Sequence, residues 1–291
     1  MLRQRQYYHK NIIQKIAARF SWASYFYIKV KRLLLAIFSY KDYNLLELMR
    51  PNQPIILKLM RGAPGTYNHS LAVANLVDSV SGEIGADSLL CRAAAIYHDI
   101  GKISRPYFFN ENQTGFNPHD KTKAKMSYLI ITAHVRDGAE IARKSHLPKE
   151  IIDIILQHHG NGLVSYFYEE AKKKQEHVKE SDFRYHEKIP QSKEAALVML
   201  ADSVEAACRS IAKPCNKSIT SMVEGVINSR LEDHQLDNST LTVSDLNLIK
   251  KKFSMFLVNV YHPRIKYPAC RKAGPGKVIP LRSVNSGNRD K

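Results

Sequence analysis

The sequence predicts an all-α fold, and three observations carry that expectation. Apolar residues recur at helical spacing along most of the 291-residue chain, alternating β-type runs are scarce, and capping residues stand before several apolar stripes. The run HSLAVANLVDSV starts at His69 and keeps Val73 and Leu76 on the same helical face. Asp87-Ser88 offers a cap for a helix whose face carries Leu90, Ala94 and His98, with Gly101 read as its stop signal. His134 lies in the next helical run, ITAHVRDGAEIA. Pro148 suits the first position of a helix carrying Ile151, Ile154, Ile155 and His158 before Gly160. Ser192 caps the run Ala195, Val198, Met199, Asp202 and Glu205. Thr242 and Asp245 have the spacing of a capping box before a long apolar-striped helix to Tyr261. Residues 103–123 and about 180–191 read as longer loops.

Composition places the chain among globular proteins: 44% of residues are hydrophobic and 24% charged, too apolar for a disordered protein. The length allows one large domain or two small ones. Lys and Arg number 44 against 27 acidic residues, a formal net charge of +17, which for a whole protein points to a polyanionic partner. The distribution points elsewhere. Residues 1–50 carry ten basic and two acidic side chains, residues 250–291 carry eleven and one, and the stretch between them is close to neutral. Nucleic acid is therefore not the expected partner. Cys91, Cys208, Cys215 and Cys270 show no CxxC spacing, so neither a disulfide framework nor a cysteine zinc site is expected, and the chain reads as intracellular. Ser21 to Tyr40 is apolar but interrupted by Lys29, Lys31 and Arg32, too charged to span a bilayer. It suits either a basic amphipathic helix on a membrane surface or a helix packed on its own domain.

The chemistry lies in polar residues that interrupt apolar stripes: His69, His98-Asp99, His134, His158-His159 and Asp202. An ionised carboxylate facing a core is costly unless a metal or another cation meets it. Neutral imidazoles and carboxylates suit zinc, iron and manganese. Taken singly, each such residue has an ordinary structural explanation. Together, on separate helices or helix ends, they read as one shared site.

The order His…His-Asp…His…His-His…Asp resembles the HD-domain metal-dependent phosphohydrolases. The strings GAPGTYNHSLAVANL, HDIGKISRPYFFNENQTGFNPHD, IITAHVRDGAEIA, LPKEIIDIILQHHGNGLVSYFY, DFRY and PQSKEAALVMLADSVEAACRS resemble the cytoplasmic HD domain of the seven-transmembrane HD receptor family. Its PgpH-type members hydrolyse the second messenger cyclic di-AMP. The resemblance covers residues 45–265 and implies an HD-domain helical bundle around a dinuclear metal site. It leaves 1–44 as a basic, membrane-proximal flank and 266–291 as a basic, disordered tail.

By this resemblance His69, His98, Asp99 and Asp202 hold one divalent ion, and His134, His158 and His159 hold a second, with Asp99 bridging. Iron or manganese is the expected metal. The implied activity is a phosphoric diester hydrolase that uses a metal-activated hydroxide to open cyclic di-AMP to linear pApA. Lys102 is expected at the substrate phosphate or as an electrostatic stabiliser, against the plainer reading of a solvated lysine complementing a helix C-terminus. Arg136, Arg184 and Tyr185 are candidate substrate contacts, with Phe183 as a stacking surface, unless that aromatic loop simply packs on its own core. His119-Asp120 suits either a pair that orients a metal ligand or a loop-fixing turn. Glu205 suits either an acceptor behind a ligand or a surface ion pair. One departure from the family falls between Tyr185 and Pro190, where HEKI replaces a Gly/Pro-rich turn. The family's membrane-spanning part has no counterpart in these residues, so a cytoplasmic chain is expected, peripheral to the membrane through residues 1–50. Two alternatives keep the fold. One is hydrolysis of cyclic di-GMP or another nucleotide, although QHHG continues Asn161-Gly162-Leu163 and lacks the GYP signature. The other is a non-catalytic nucleotide sensor.

Overall fold

Proline and capping side chains open most of the helices. A computed structural model describes residues 44–174 and 178–261, with positions 27, 29 and 30 before them. The expectations for the basic flank and for the tail 266–291 therefore fall almost wholly outside the described residues. Helices α1 (Pro54–Gly62) and α2 (Pro64–Asp78) begin with proline, whose missing N–H costs a first turn nothing. Asp87 caps α3 (Ser88–Tyr97) by accepting the Leu90 N–H at 3.0 Å. After α4 (Ala124–Lys144), α5 (Lys149–Gln157) and α6 (Ser165–Lys174), Ser192 caps α7 (Lys193–Arg209) through the Ala195 N–H. Cys215 and Ser218 form the capping box of α8 (Asn216–Glu232). Thr242 and Asp245 exchange reciprocal hydrogen bonds of 3.0 and 3.1 Å ahead of α9 (Val243–Tyr261). Among the described residues the only β feature is a single bridge between Leu163 and Arg184. The fold is all-α, as expected.

Two local expectations need correction. Pro148 is the N-cap of α5 and not its first residue, with extended backbone (ψ 145°). Gly101 does not stop α3, which ends at Tyr97 before a 3₁₀ turn at Ile100–Ser104. Its φ is not in the left-handed region. Glycine is required there because a Cβ would lie 1.9 Å from the His134 carbonyl oxygen and 2.5 Å from the Gly138 nitrogen, both on α4. Gly160 does act as a stop, at φ 53°.

Helix α7 is buried on all sides from Ala195 to Asp202, as a helix that is apolar all round must be. Helices α2, α3 and α5 pack against it, α3 also packs against both α2 and α5, α4 lies on α5 and on the 100–104 turn, and α8 and α9 close the far side. A smaller cluster of Tyr128, Phe167, Ala171 and Phe183 sits under the second loop. The 103–123 segment is a chain of short 3₁₀ turns tied to the start of α2, where Asn112 Oδ1 accepts the Gly65 and Thr66 N–H groups at 2.9 and 3.2 Å. No helix among the described residues is long and apolar enough to cross a membrane.

Candidate metal centre

Five helices deliver seven side chains to one place. His69 comes from α2, His98-Asp99 from the end of α3, His134 from α4, His158-His159 from the end of α5 and Asp202 from α7. They form two groups that could each hold a metal ion: His69, His98, Asp99 and Asp202, and Asp99, His134, His158 and His159. Within each group the ligand atoms lie within 4.8 Å of one another. Asp99 belongs to both. Its Oδ2 is 3.2 Å from His98 Nε2 and 3.6 Å from His69 Nε2, while Oδ1 is 3.3 Å from His134 Nε2 and 3.8 Å from His158 Nε2. Asp202 Oδ1 is 2.9 Å from His69 Nε2 and Oδ2 is 3.8 Å from His159 Nδ1.

The main chain fixes three of the imidazoles. His98, His134 and His158 each face, through Nδ1, the carbonyl three residues earlier (Ala95, Ile131 and Ile155) at 2.8, 2.5 and 2.7 Å. A carbonyl only accepts, so Nδ1 carries the proton and a neutral ring keeps a lone pair on Nε2. His69 is held differently. Its Nδ1 lies 2.5 Å from Glu205 Oε2, and Arg209 grips the other Glu205 oxygen at 2.5 Å. Glu205 is thus both the acceptor behind a ligand and an ion-pair partner. His98 Nε2 and Asp99 Oδ1 are shielded from solvent and make no hydrogen bond, while Asp99 Oδ2 meets the Lys102 ammonium at 2.7 Å. The Nε2 atoms of His134 and His158 face each other at 3.3 Å. A buried carboxylate with an orphaned oxygen, Asp99 Oδ1, beside converging imidazole lone pairs is a donor set that fits divalent cations.

Charge at the centre is set by a contest between burial and the two carboxylates. Burial disfavours a charged His98, but Asp99 and Asp202 outweigh it and push its pKa up to about 10. Burial also opposes charge on His69, and Asp202 and Glu205 raise it nonetheless. For the other three rings burial prevails, with neighbouring cationic groups behind it. His158 falls to about 3, and His134 and His159 also fall. Burial opposes ionisation of Asp99 and Asp202, yet the adjacent histidines, with Lys102 for Asp99, hold both well below the usual carboxylate range.

Lys102 is not a solvated helix-end lysine. It is 12% exposed, with Nζ 2.7 Å from Asp99 Oδ2 and 2.9 Å from Glu111 Oε1. Burial resists its charge, but the two carboxylates raise its pKa all the same. Glu111 also accepts the Thr66 hydroxyl at 3.0 Å, which ties the lysine to the start of α2.

The centre lies along a cavity of about 980 Å³ lined by His69, Lys102, His134, His159 and Asp202 together with further residues of α7 and α8. Tyr185 lines it and stacks on His159, with centroids 4.5 Å apart. Arg184 also lines it but is paired with Glu180 and Asp233, each at 2.6 Å. Arg136 lies elsewhere: it is 72% exposed and bonded to Glu187. Two residues beyond His134 on a helix is about 200° around the axis, so it faces away. Phe183 packs in the small cluster, and His119 fixes its loop by donating to the Phe108 carbonyl. Glu111, Arg209 and Arg230 belong to the cavity and were not singled out from sequence. Glu111 and Arg230 bond to residues far along the chain, Thr66 and Ser203, so no local signal marks them, whereas the i,i+4 spacing of Arg209 from Glu205 is a signal that could have found it.

The HD domain family profile matches residues 66–207. The chain is 46% identical over 226 residues to the cyclic-di-AMP phosphodiesterase PgpH of Listeria monocytogenes, covering 77% of this chain and 32% of that protein. It is 45% identical over 230 residues to PgpH of Bacillus subtilis, covering 79% and 32%. The chain thus spans about a third of the length of these curated relatives. The crystal structure of the L. monocytogenes PgpH HD domain in complex with cyclic-di-AMP superposes with a TM-score of 0.71 at 45% identity, over 73% of this chain and 100% of that one. With identity of this order across the whole of a solved domain and the same all-α architecture, the chain belongs to the HD domain family, alongside the PgpH HD domains.

Proposed function

We propose that this chain is a metal-dependent phosphodiesterase that opens cyclic di-AMP to the linear dinucleotide pApA. The observation that carries this reading is a buried carboxylate, Asp99, shared by two histidine-aspartate groups along a cavity large enough for a dinucleotide. Its setting is a domain 45% identical to one solved with cyclic-di-AMP. His69, His98, Asp99 and Asp202 would hold one divalent ion, and Asp99, His134, His158 and His159 a second. Iron or manganese suits this mixed nitrogen and oxygen set. Such ions supply positive charge and Lewis acidity where a phosphodiester anion resists attack.

The remaining work falls to the chain. The carbonyls of Ala95, Ile131 and Ile155, with Glu205, keep four imidazoles in fixed orientation. Water adds across the P–O3′ bond: its oxygen joins phosphorus, one proton ends on the 3′ oxygen, and a 5′-phosphate is left. Lys102, pinned between Asp99 and Glu111, places a permanent positive charge beside the reacting phosphate and steadies the charge that develops there. Tyr185 covers His159 and narrows the approach of bulk water.

The test is turnover of cyclic di-AMP, cyclic di-GMP and a simple aryl phosphodiester by the manganese- or anaerobically iron-loaded chain, beside Asp99→Ala. Cyclic di-AMP cleavage that chelation and Asp99→Ala both abolish is the expected result. Equal turnover by wild type and variant would refute the metal-centre assignment, and cleavage of cyclic di-GMP alone would move the substrate. The basic excess in residues 1–50 supports a cytoplasmic chain peripheral to an anionic membrane. Equal liposome flotation of the full chain and a 45–291 truncation would reject that location.

A further inference from the structure

Four lysine or arginine side chains line the cavity: Lys102, Arg184, Arg209 and Arg230. Three of them are already engaged. Lys102 stands with Asp99 and Glu111 beside the phosphate that is cut, Arg184 is paired with Glu180 and Asp233, and Arg209 with Glu205. Arg230 differs. Its Nε donates to the Ser203 hydroxyl at 3.2 Å, and among the described residues no carboxylate pairs with it. The guanidinium is nevertheless fixed in place. Ser203 adjoins Asp202, and on the other side Gly162, three residues beyond His159, leaves it room: a Cβ there would lie 3.0 Å from Arg230 Nη1. With Nε anchored, the two terminal nitrogens remain as a fork for the two non-bridging oxygens of a phosphodiester.

A cyclic dinucleotide brings two phosphodiester anions into this cavity. The metal centre accounts for the one that is cut. The other enters a space also lined by Glu111, Glu205, Glu232 and Asp233, and it needs a cation whose charge is not already used. We infer that Arg230 is the binding site for the second, uncut phosphate of a cyclic dinucleotide, a role that rests on the hydrolase reading above. Arg230 thereby favours substrates with two phosphates over those with one, and Ser203 positions it.

The experiment compares kcat/KM of the manganese-loaded wild type, Arg230→Gln and Arg230→Lys on cyclic di-AMP and on an aryl diester with a single phosphate. For Arg230→Gln the ratio of the two values falls about tenfold to a hundredfold, as expected for a lost charge-assisted contact. The loss appears mainly in KM for the dinucleotide. Arg230→Lys keeps the charge but not the fork, so its ratio falls less, and it carries the comparison if the glutamine variant does not fold. Parallel losses on both substrates, or no loss on either, overturn the assignment. A wild type that cuts the aryl diester but leaves cyclic di-AMP intact overturns the substrate and this inference together. A normal wild type with an unchanged ratio in both variants overturns only the role of Arg230.

Discussion

Replacing Gly101 by alanine strikes the joint between the two halves of the metal centre. The added Cβ would lie 1.9 Å from the His134 carbonyl oxygen, whereas the shortest ordinary contact is about 3.4 Å, so the two backbones must part by about 1.5 Å. No flexible side chain can absorb this, because both atoms in the way belong to the α4 backbone. Overpacking of this kind costs about 1–3 kcal/mol, a fall in Tm of roughly 2–12 °C for a domain of this size. The local effect is larger. Asp99 lies two residues before Gly101, and His134 is on the helix being pushed away, so the contact of 3.3 Å between Asp99 Oδ1 and His134 Nε2 is lost. A displacement near 1 Å already costs catalysis about a hundredfold. The measurements are Tm, bound manganese per chain and turnover, with Gly62→Ala as control, since its Cβ would meet nothing closer than Ile103 Cγ2 at 3.7 Å. Gly101→Ala should lose metal and at least a hundredfold in activity. A Gly101→Ala chain matching the control in melting and metal content would refute the close-approach argument.

Two further perturbations probe the same centre. Glu205→Ala removes the acceptor behind His69 Nδ1, and manganese affinity should weaken about 10–100-fold. Titration against a competing chelator measures this, and unchanged affinity would remove Glu205 from the site. Stability of the chelated chain should peak near pH 6.5 and fall on both sides. On the acid side the unfolded chain takes up protons that His134, His158 and His159 refuse until about pH 3 in the case of His158. On the alkaline side His69 and His98 keep protons that the unfolded chain has lost, and their stabilisation fades as pH rises toward about 10 for His98. Bound metal replaces those protons, so the alkaline decline should vanish with manganese present. Urea midpoints at pH 6.5 and 9, with chelator and with manganese, decide the matter; equal chelator midpoints at the two pH values would contradict it.

Local signals were readable from sequence and long-range ones were not. Asp87, Ser192 and the Thr242–Asp245 pair are legible because a cap bonds to residues two or three away. The seven histidine and aspartate positions are legible because each breaks an apolar stripe that must face a core. Gly101 was misread because its reason lies on another helix, 33 or more residues along the chain. Arg136 drew attention by standing near His134 in sequence, yet i and i+2 do not share a helix face. Arg230 stands near no motif, and only the folded cavity sets it beside Ser203 and Gly162.

The contrast between carbonyl-held and side-chain-held imidazoles divides the centre in its capacity to change. The rings of His98, His134 and His158 take their orientation from main-chain carbonyls, which no substitution at another residue deletes. His69 takes its orientation from Glu205, and Glu205 in turn from Arg209. Inherited variation can therefore retune the His69 side by a single residue change while the His134 and His158 side holds its setting. In a lineage adapting to a different supply of metals, the α2 to α7 contact is where such drift would first be recorded.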